Sequence, residues 1–283
     1  MTFYVLYNRL SGNGTGEARA REVEKFFKKM TPVFVDITTL DYLKFFSELD
    51  SDDKVILCGG DGTLNRFVND TEGITFKNDI LFFPTGSGND FWNDLGRKVG
   101  DAPCKINEYL VDLPTVIVNG KKSKFINGIG YGIDGYCCEE GDRLRATSDK
   151  PINYTSIAIK GLLFHYKPTN AEITVDGVTH TFERAWLAPT MNGRFYGGGM
   201  MATPDQDRLN KERTVTTMVM FGAGKIPTLA AFPSIFKGEH IKKTKIVKTF
   251  KGKHVIVKFN RPVALQIDGE TVKNVTEYEV IGG

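Results

Sequence analysis

The chain has 283 residues, 41% of them apolar, and a formal net charge of +3. That length exceeds what one hydrophobic core ordinarily organises, so two domains are expected, and so small a charge argues against a nucleic-acid binder. No run of about eighteen uninterrupted apolar residues occurs, since the stretch Thr214 to Phe236 is broken by Lys225, Pro227 and Pro233, so no transmembrane segment is expected.

In chain order, Phe3 to Tyr7 is too short for a signal peptide, lacks a basic leader and reads as a first strand. Val23, Phe26, Phe27 and Met30 then recur at helical spacing, and Val33 to Ile37 is a second strand. The alternation continues with helix Tyr42 to Leu49, strand Lys54 to Cys58, helix Leu64 to Val68 and strand Ile80 to Phe83. Short, uniformly apolar strands between helices predict an open, Rossmann-like parallel sheet covered on both faces, with its ligand at the carboxyl ends of the strands.

After about Leu110 the pattern becomes short β-branched segments separated by the hairpin signals Asn119-Gly120, Asp176-Gly177 and Asp268-Gly269, with one helical interruption from Tyr154 to Tyr166. The expected organisation is an α/β domain over residues 1–110 and a mainly β, sandwich-like domain over 111–270. The tail 271–283 is expected to return to the first domain, and the active site to lie in the cleft between the two.

Cys58, Cys104, Cys137 and Cys138 form no C-x-x-C pair, so neither a disulfide framework nor a zinc site is indicated and a reducing cytoplasm fits. His165, His180, His240 and His254 are scattered, without ligand spacing or a G-x-S-x-G partner, which removes hydrolase chemistry. Seven lysines fall between Lys237 and Lys253 against the single acid Glu239; such a face attracts anionic lipid at about 1 kcal/mol per lysine, but equally suits a solvated strand edge.

The sharpest feature is Gly59-Gly60-Asp61-Gly62-Thr63, directly after the apolar strand Val55 to Cys58 and directly before a helix. Glycines at such a turn let backbone N–H groups approach phosphates, and the helix N-terminus adds partial positive charge. Asp61 would repel a polyphosphate unless a divalent cation intervened, which points to a Mg²⁺-nucleotide; otherwise Asp61 simply caps a helix. A second loop of the same kind, Pro84-Thr85-Gly86-Ser87-Gly88-Asn89-Asp90-Phe91, follows strand Ile80 to Phe83, and a third runs from Asn8 to Gly16. In a parallel sheet all three open at the same edge. Walker, dinucleotide and protein-kinase motifs are missing.

These residues resemble the diacylglycerol-kinase catalytic superfamily, which includes bacterial soluble lipid kinases and sphingosine kinases. The likeness rests on Gly59 to Thr63 with Asn65, on Pro84 to Phe91, on Asn127-Gly128-Ile129-Gly130-Tyr131-Gly132-Ile133-Asp134, on Asn192-Gly193 with Tyr196 to Met200 and Pro204, and on Asp268-Gly269-Glu270. The resemblance implies ATP and Mg²⁺ as cofactors, with Asn8, Thr38, Gly59, Gly60, Asp61, Gly62, Thr63 and Ser87 around the nucleotide and Asp61 holding the catalytic metal. It implies Glu270 as general base with Asp61 and Asp268 as further catalytic residues, and a lipid alcohol met at the membrane surface by a cytoplasmic or peripheral protein.

Two departures stand out. Arg9 occupies the usual proline of N-P-x-S-G. Asp207-Arg208-Leu209-Asn210 puts an amide where bacterial members carry an aspartate of a structural Mg²⁺ site, which places that metal in doubt. Tyr154, Ile157, Leu162, Leu163, Phe164 and Tyr166, with Leu229, Phe232, Ile235 and Phe236, would line an acyl groove, meet a membrane or pack as core. NAD kinases share the G-G-D-G loop and are the alternative enzyme reading; a lipid-binding homologue without turnover is the alternative from another class.

Overall fold

The structure, a computed structural model, describes residues 1–27, 31–86, 88–147 and 152–283. It divides into two compact units, Met1–Val111 and Asp112–Gly283.

The first unit is a five-stranded sheet. β1 (Phe3–Tyr7), β2 (Val33–Asp36), β3 (Lys54–Gly59) and β4 (Asp79–Pro84) run parallel in the order β2-β1-β3-β4, and the short β5 (Cys104–Lys105) pairs antiparallel with β4 at the edge. Alternate side chains serve opposite layers, as strand geometry requires. Val5, Ile56, Cys58 and Phe83 pack with Ala20 and Val23, whereas Tyr4 of β1 meets Phe45 edge-on at 5.5 Å. Helices α1 (Ser11–Gly14) and α2 (Gly16–Ala20) lead into a 3-10 turn over Arg21–Phe26. The helix expected around Val23 is thus a tighter turn, and its last position, Met30, lies outside the described residues. α3 (Tyr42–Glu48) is capped by Asp41, which accepts from the Lys44 N–H. α4 (Asp61–Asp70) and α5 (Asp90–Asp94) follow β3 and β4.

The second unit contains a ten-stranded antiparallel sheet and a small two-stranded pair. In chain order come β6 (Thr115–Val118), β7 (Lys121–Lys124), β8 (Gly128–Tyr131), α6 (Ile133–Arg145), α7 (Tyr154–Lys160), β9 (Thr169–Val175), β10 (Val178–Ala185) and β11 (Thr190–Met191). The pair β12 (Phe195–Tyr196) and β13 (Met200–Met201) precedes β14 (Val215–Met220), α8 (Lys225–Ala231), β15 (Val247–Gly252), β16 (His254–Ile267) and β17 (Glu270–Ile281). The main path is β15-β14-β11-β8-β16-β17-β6-β7. β16 serves two branches: Val255 to Phe259 pairs with β9, which carries β10, whereas Leu265 to Ile267 pairs with β8. Inside, Tyr131 stacks on Phe259 at 4.0 Å and meets Tyr278 edge-on.

The three hairpin signals all turn the chain where expected, with φ of 49° and 76° at Asn119 and Gly120, 47° and 86° at Asp176 and Gly177, and 46° and 97° at Asp268 and Gly269. Two expectations are corrected. Residues 271–281 belong to β17, bonded to β16 and β6 in the second unit, because the two-residue turn at Asp268-Gly269 sends the chain straight back along β16. The second unit also holds α6 and α8 in addition to the single helix foreseen at 154–166, which itself ends in a π turn over Gly161–His165.

Candidate active site

In the first unit the motif loops leave the carboxyl ends of β1, β3 and β4. Gly59 has no room for a side chain, since a Cβ there would sit 2.4 Å from Cβ of Thr63. Gly60 and Gly86 bring their backbones together: a Cβ on Gly86 would lie 2.5 Å from the Gly60 Cα, and Thr85 N–H donates to the Gly59 carbonyl at 2.8 Å. The two glycine loops therefore touch, as their placement after neighbouring parallel strands predicts.

Asp61 opens α4, yet its carboxylate reaches the other loop, where its oxygens accept from the N–H groups of Asp90 and Phe91 at 2.9 and 3.0 Å. It caps α5, the next helix, and braces one loop against the other. A carboxylate is the hard oxygen donor that a divalent cation prefers, so the chemistry of the Asp61 side chain fits one. The first turn of α4 receives no side-chain bond from its own cap residue, Gly60. Among the described residues, the buried Asn89 side-chain oxygen has no hydrogen-bond donor, while its amide donates to Gly86 O at 3.0 Å. Ser87 lies outside the described residues.

The third loop is self-supporting. Asn8 Oδ1 accepts from Leu10 N–H at 2.9 Å, and Asn8 O accepts from the Ser11 hydroxyl at 2.8 Å; a Cβ on Gly16 would fall 1.9 Å from that same carbonyl. Arg19 ties this loop to the second by donating to Thr85 O at 3.1 Å, a link the motif reading missed because Arg19 lies on α2 outside the loop. Thr38 donates to Asp36 through its N–H at 3.1 Å and its hydroxyl at 2.8 Å, and Arg9 pairs with the same carboxylate at 3.1 Å. Burial pushes the Asp36 carboxyl up, but the Thr38 and Arg9 interactions outweigh it and hold it below the usual range. Arg9, the substitute for proline, thus anchors the loop by charge instead of ring stiffness.

In the second unit three distant motifs meet. The Asp268 carboxylate accepts from three consecutive N–H groups, Ile126 at 2.6 Å, Asn127 at 2.8 Å and Gly128 at 2.9 Å. Asn192 donates its amide to Ile126 O at 3.0 Å and its N–H to Asn127 O at 2.9 Å, and Gly193 N–H adds 3.1 Å to the same carbonyl. Buried Arg208 completes the knot with bonds to Ile126 O and Asn127 Oδ1 at 2.5 and 2.6 Å. The geometry gives Asp268 the task of holding the hairpin tip. Glu270, by contrast, is exposed at the head of β17, paired in register with Ile267.

Asp134, quoted in the motif without a role, is buried in the first turn of α6 and accepts a short hydrogen bond from the Tyr196 hydroxyl. Burial pushes its carboxyl up to about 7, although the Tyr196 bond pulls the other way. Its neighbour Gly135 is required because a Cβ there would meet the Ala264 carbonyl at 1.8 Å. A groove of about 760 Å³ between α6 and α7 is lined by Tyr136, Leu144, Ile152 and Ile157 together with the polar Glu140, Arg143, Asn153, Ser156, Lys160 and His165. Of the aromatic and apolar residues read as groove, membrane contact or core, Ile157, Leu162, Tyr166 and Ile235 are buried, whereas Phe164 is 73% exposed.

Comparison with known proteins matches both halves. The family model described as the diacylglycerol kinase catalytic domain covers residues 2–120, and that described as the YegS C-terminal NAD kinase beta sandwich-like domain covers residues 127–280. A Mycobacterium tuberculosis protein named diacylglycerol kinase is 26% identical over 257 residues, covering 86% of this chain and 81% of the relative. A Bacillus subtilis protein of the same name is 28% identical over 225 residues, covering 77% and 71%. The crystal structure of a diacylglycerol kinase from Bacillus anthracis has the same fold, with a TM-score of 0.60 at 18% identity, over 100% of this chain and 94% of the other. With these two domains in this order, and with the glycine loops and the D-G-E hairpin in the places their motifs require, the chain belongs to the diacylglycerol-kinase catalytic superfamily.

Proposed function

We propose that the protein transfers the γ-phosphate of ATP to the hydroxyl of diacylglycerol or a related lipid alcohol. The observation that carries this reading is the contact of Gly60 with Gly86, which sets two amide-rich loops and the first turn of α4 side by side. Backbone N–H groups so arranged suit a polyphosphate. Gly59 to Thr63 bind the phosphates, Ser87 donates its hydroxyl, and Asn8 and Thr38 line the nucleotide side. Asp61 keeps the loops together and offers carboxylate oxygen to Mg²⁺. When bound, the cation supplies neutralisation of phosphate charge, which together with positioning is most of what phosphoryl transfer requires.

Glu270 accepts the proton of the attacking lipid hydroxyl, a task that suits a carboxylate held at a hairpin tip and open to a substrate. Asp268 is a positioning residue: by gripping three N–H groups it fixes the backbone from which Glu270 projects. The groove between α6 and α7, with Tyr136, Leu144, Ile152 and Ile157 in its lining, takes the lipid chain.

The test is incubation with a total lipid extract and γ-labelled ATP in the presence of Mg²⁺, with the product identified by mass spectrometry. Label in a phospholipid is the expected result. Label in NAD and in no lipid would replace this reading with an NAD kinase, and lipid binding without turnover would replace it with a non-catalytic binder.

A further inference from the structure

The family likeness brings with it a structural divalent cation near Asp207 and Asn210, and the loop in this chain does not fit one. Hard cations of this kind take about six oxygen ligands with open lone pairs. The two inward carbonyls of the loop are already engaged: Asn210 Nδ2 donates to Asp207 O at 2.7 Å and to Thr214 O at 3.0 Å. Gln206 Nε2 donates to the same two oxygens at 3.3 and 2.9 Å, and to Asn192 O at 3.3 Å.

Nor are the acceptor ends of these amides open. Asn210 Oδ1 accepts from both the N–H and the hydroxyl of Thr214 at 2.9 Å, and Gln206 Oε1 accepts from the Thr216 hydroxyl at 2.7 Å. Because a backbone N–H can only donate, the Thr214 bond fixes which end of Asn210 is oxygen. The NH₂ groups therefore face the carbonyls, and a cation placed between those carbonyls would meet N–H hydrogens in place of lone pairs. Leu209 N–H donates to Asp207 Oδ1 at 2.9 Å, and the permanently positive guanidinium of Arg208, next in sequence to Asp207, lies against Ile126 O and Asn127 Oδ1.

We infer that this chain has exchanged the family's structural cation for the paired carboxamides of Gln206 and Asn210, so that the loop from Pro204 to Thr214 folds without metal. The two side chains do what a bridging ion does: they draw the carbonyls of Asp207 and Thr214 toward one point. Gln206 is buried, as a structural pin should be, and reaches Asn192 in the knot around Asn127.

Melting and metal content of the nucleotide-free protein test this independently of any kinase activity. A specific cation present at about a hundredfold its dissociation constant would move the midpoint by roughly 5–10 °C. The wild type is expected to melt at the same temperature in EDTA, MgCl₂ and CaCl₂, and to carry no stoichiometric divalent ion after dialysis when assayed by plasma mass spectrometry. Asn210→Ala is expected to melt lower in all three solutions. Asn210→Asp is expected to melt lower in EDTA and to recover when either cation is added, because a carboxylate restores a ligand and removes both N–H donors. A chelator-sensitive wild type, a retained stoichiometric ion, an Asn210→Ala protein that melts like wild type, or an Asn210→Asp protein indifferent to both cations would each overturn the inference. Should Asn210→Asp fail to fold, the wild-type measurements and Asn210→Ala decide.

Discussion

The two units put an aspartate to the same local use in different architectures. In the first, Asp61 spans between two loops of a parallel sheet and grips the N–H groups of Asp90 and Phe91. In the second, Asp268 sits in a β-hairpin turn and grips the N–H groups of Ile126, Asn127 and Gly128. The surroundings differ in what remains for a ligand. Around Asp61 the neighbours are glycines and a helix N-terminus, so the chemistry on offer is backbone chemistry. Around Asp268 the side chains of Asn192 and Arg208 are spent on Ile126 and Asn127, and Glu270 lies open to solvent. One unit thus gathers backbone donors at touching loops, and the other exposes a carboxylate at the head of a strand.

The sharpest way to break that contrast is Glu270→Gln. Loss of a general base should lower kcat by roughly 10²–10⁴-fold while the melting temperature stays at the wild-type value, since the side chain is exposed; a large fall in stability would mean that Glu270 is structural like its neighbour. Asp268→Ala should do the reverse first. Stranding three N–H donors costs roughly 3 kcal/mol, to be read from denaturant unfolding, with activity falling as a consequence of a loosened tip. Gly86→Ala probes the first unit, because a methyl 2.5 Å from the Gly60 Cα must part the loops. Overpacking of this kind costs about 1–3 kcal/mol, and isothermal titration with ATP should show affinity weakened by a similar amount.

The smallest effect concerns pH. The Asp134 carboxyl, raised in the folded state to about 7 by burial, binds its proton more tightly folded than unfolded. Its contribution to stability is therefore full below its unfolded value and is lost as pH rises through about 7. Asp134→Asn should flatten the fall in melting temperature between about pH 4 and pH 7, a comparison made by calorimetry at a series of pH values. A variant with the wild-type slope would show that Asp134 is not the group responsible.

Much of the site was legible because it is made of turns. Gly59-Gly60 and Gly86 declare a close backbone approach, and the Asp-Gly pairs declare hairpins with left-handed residues, as found. α6 was not legible for an equally physical reason. Its packing face mixes Ile133, Tyr136 and Cys137 with Gly135 against Ala264 and Gly141 against the Tyr154 ring, so the apolar spacing is short and interrupted by glycines and the buried Asp134. The second role of Asp61 escaped as well, since a carboxylate that caps a helix thirty residues downstream leaves no mark on local spacing. Asn210 was visible as a departure from the family, but its partner Gln206 was not, because the bonds joining them run through backbone carbonyls.

The double duty of β16 constrains how such a chain drifts over time. Its early residues pair with β9 and its late ones with β8, and the irregular pairing between Lys258 and Val263 separates the two registers. An added or deleted residue within either paired stretch would turn that branch inside out, since alternate residues face opposite sides. Insertions that lengthen relatives should therefore collect at the tip around Gly120, whereas the tips at Gly177 and Gly269 stay fixed in length by the amides that Asp176 and Asp268 hold.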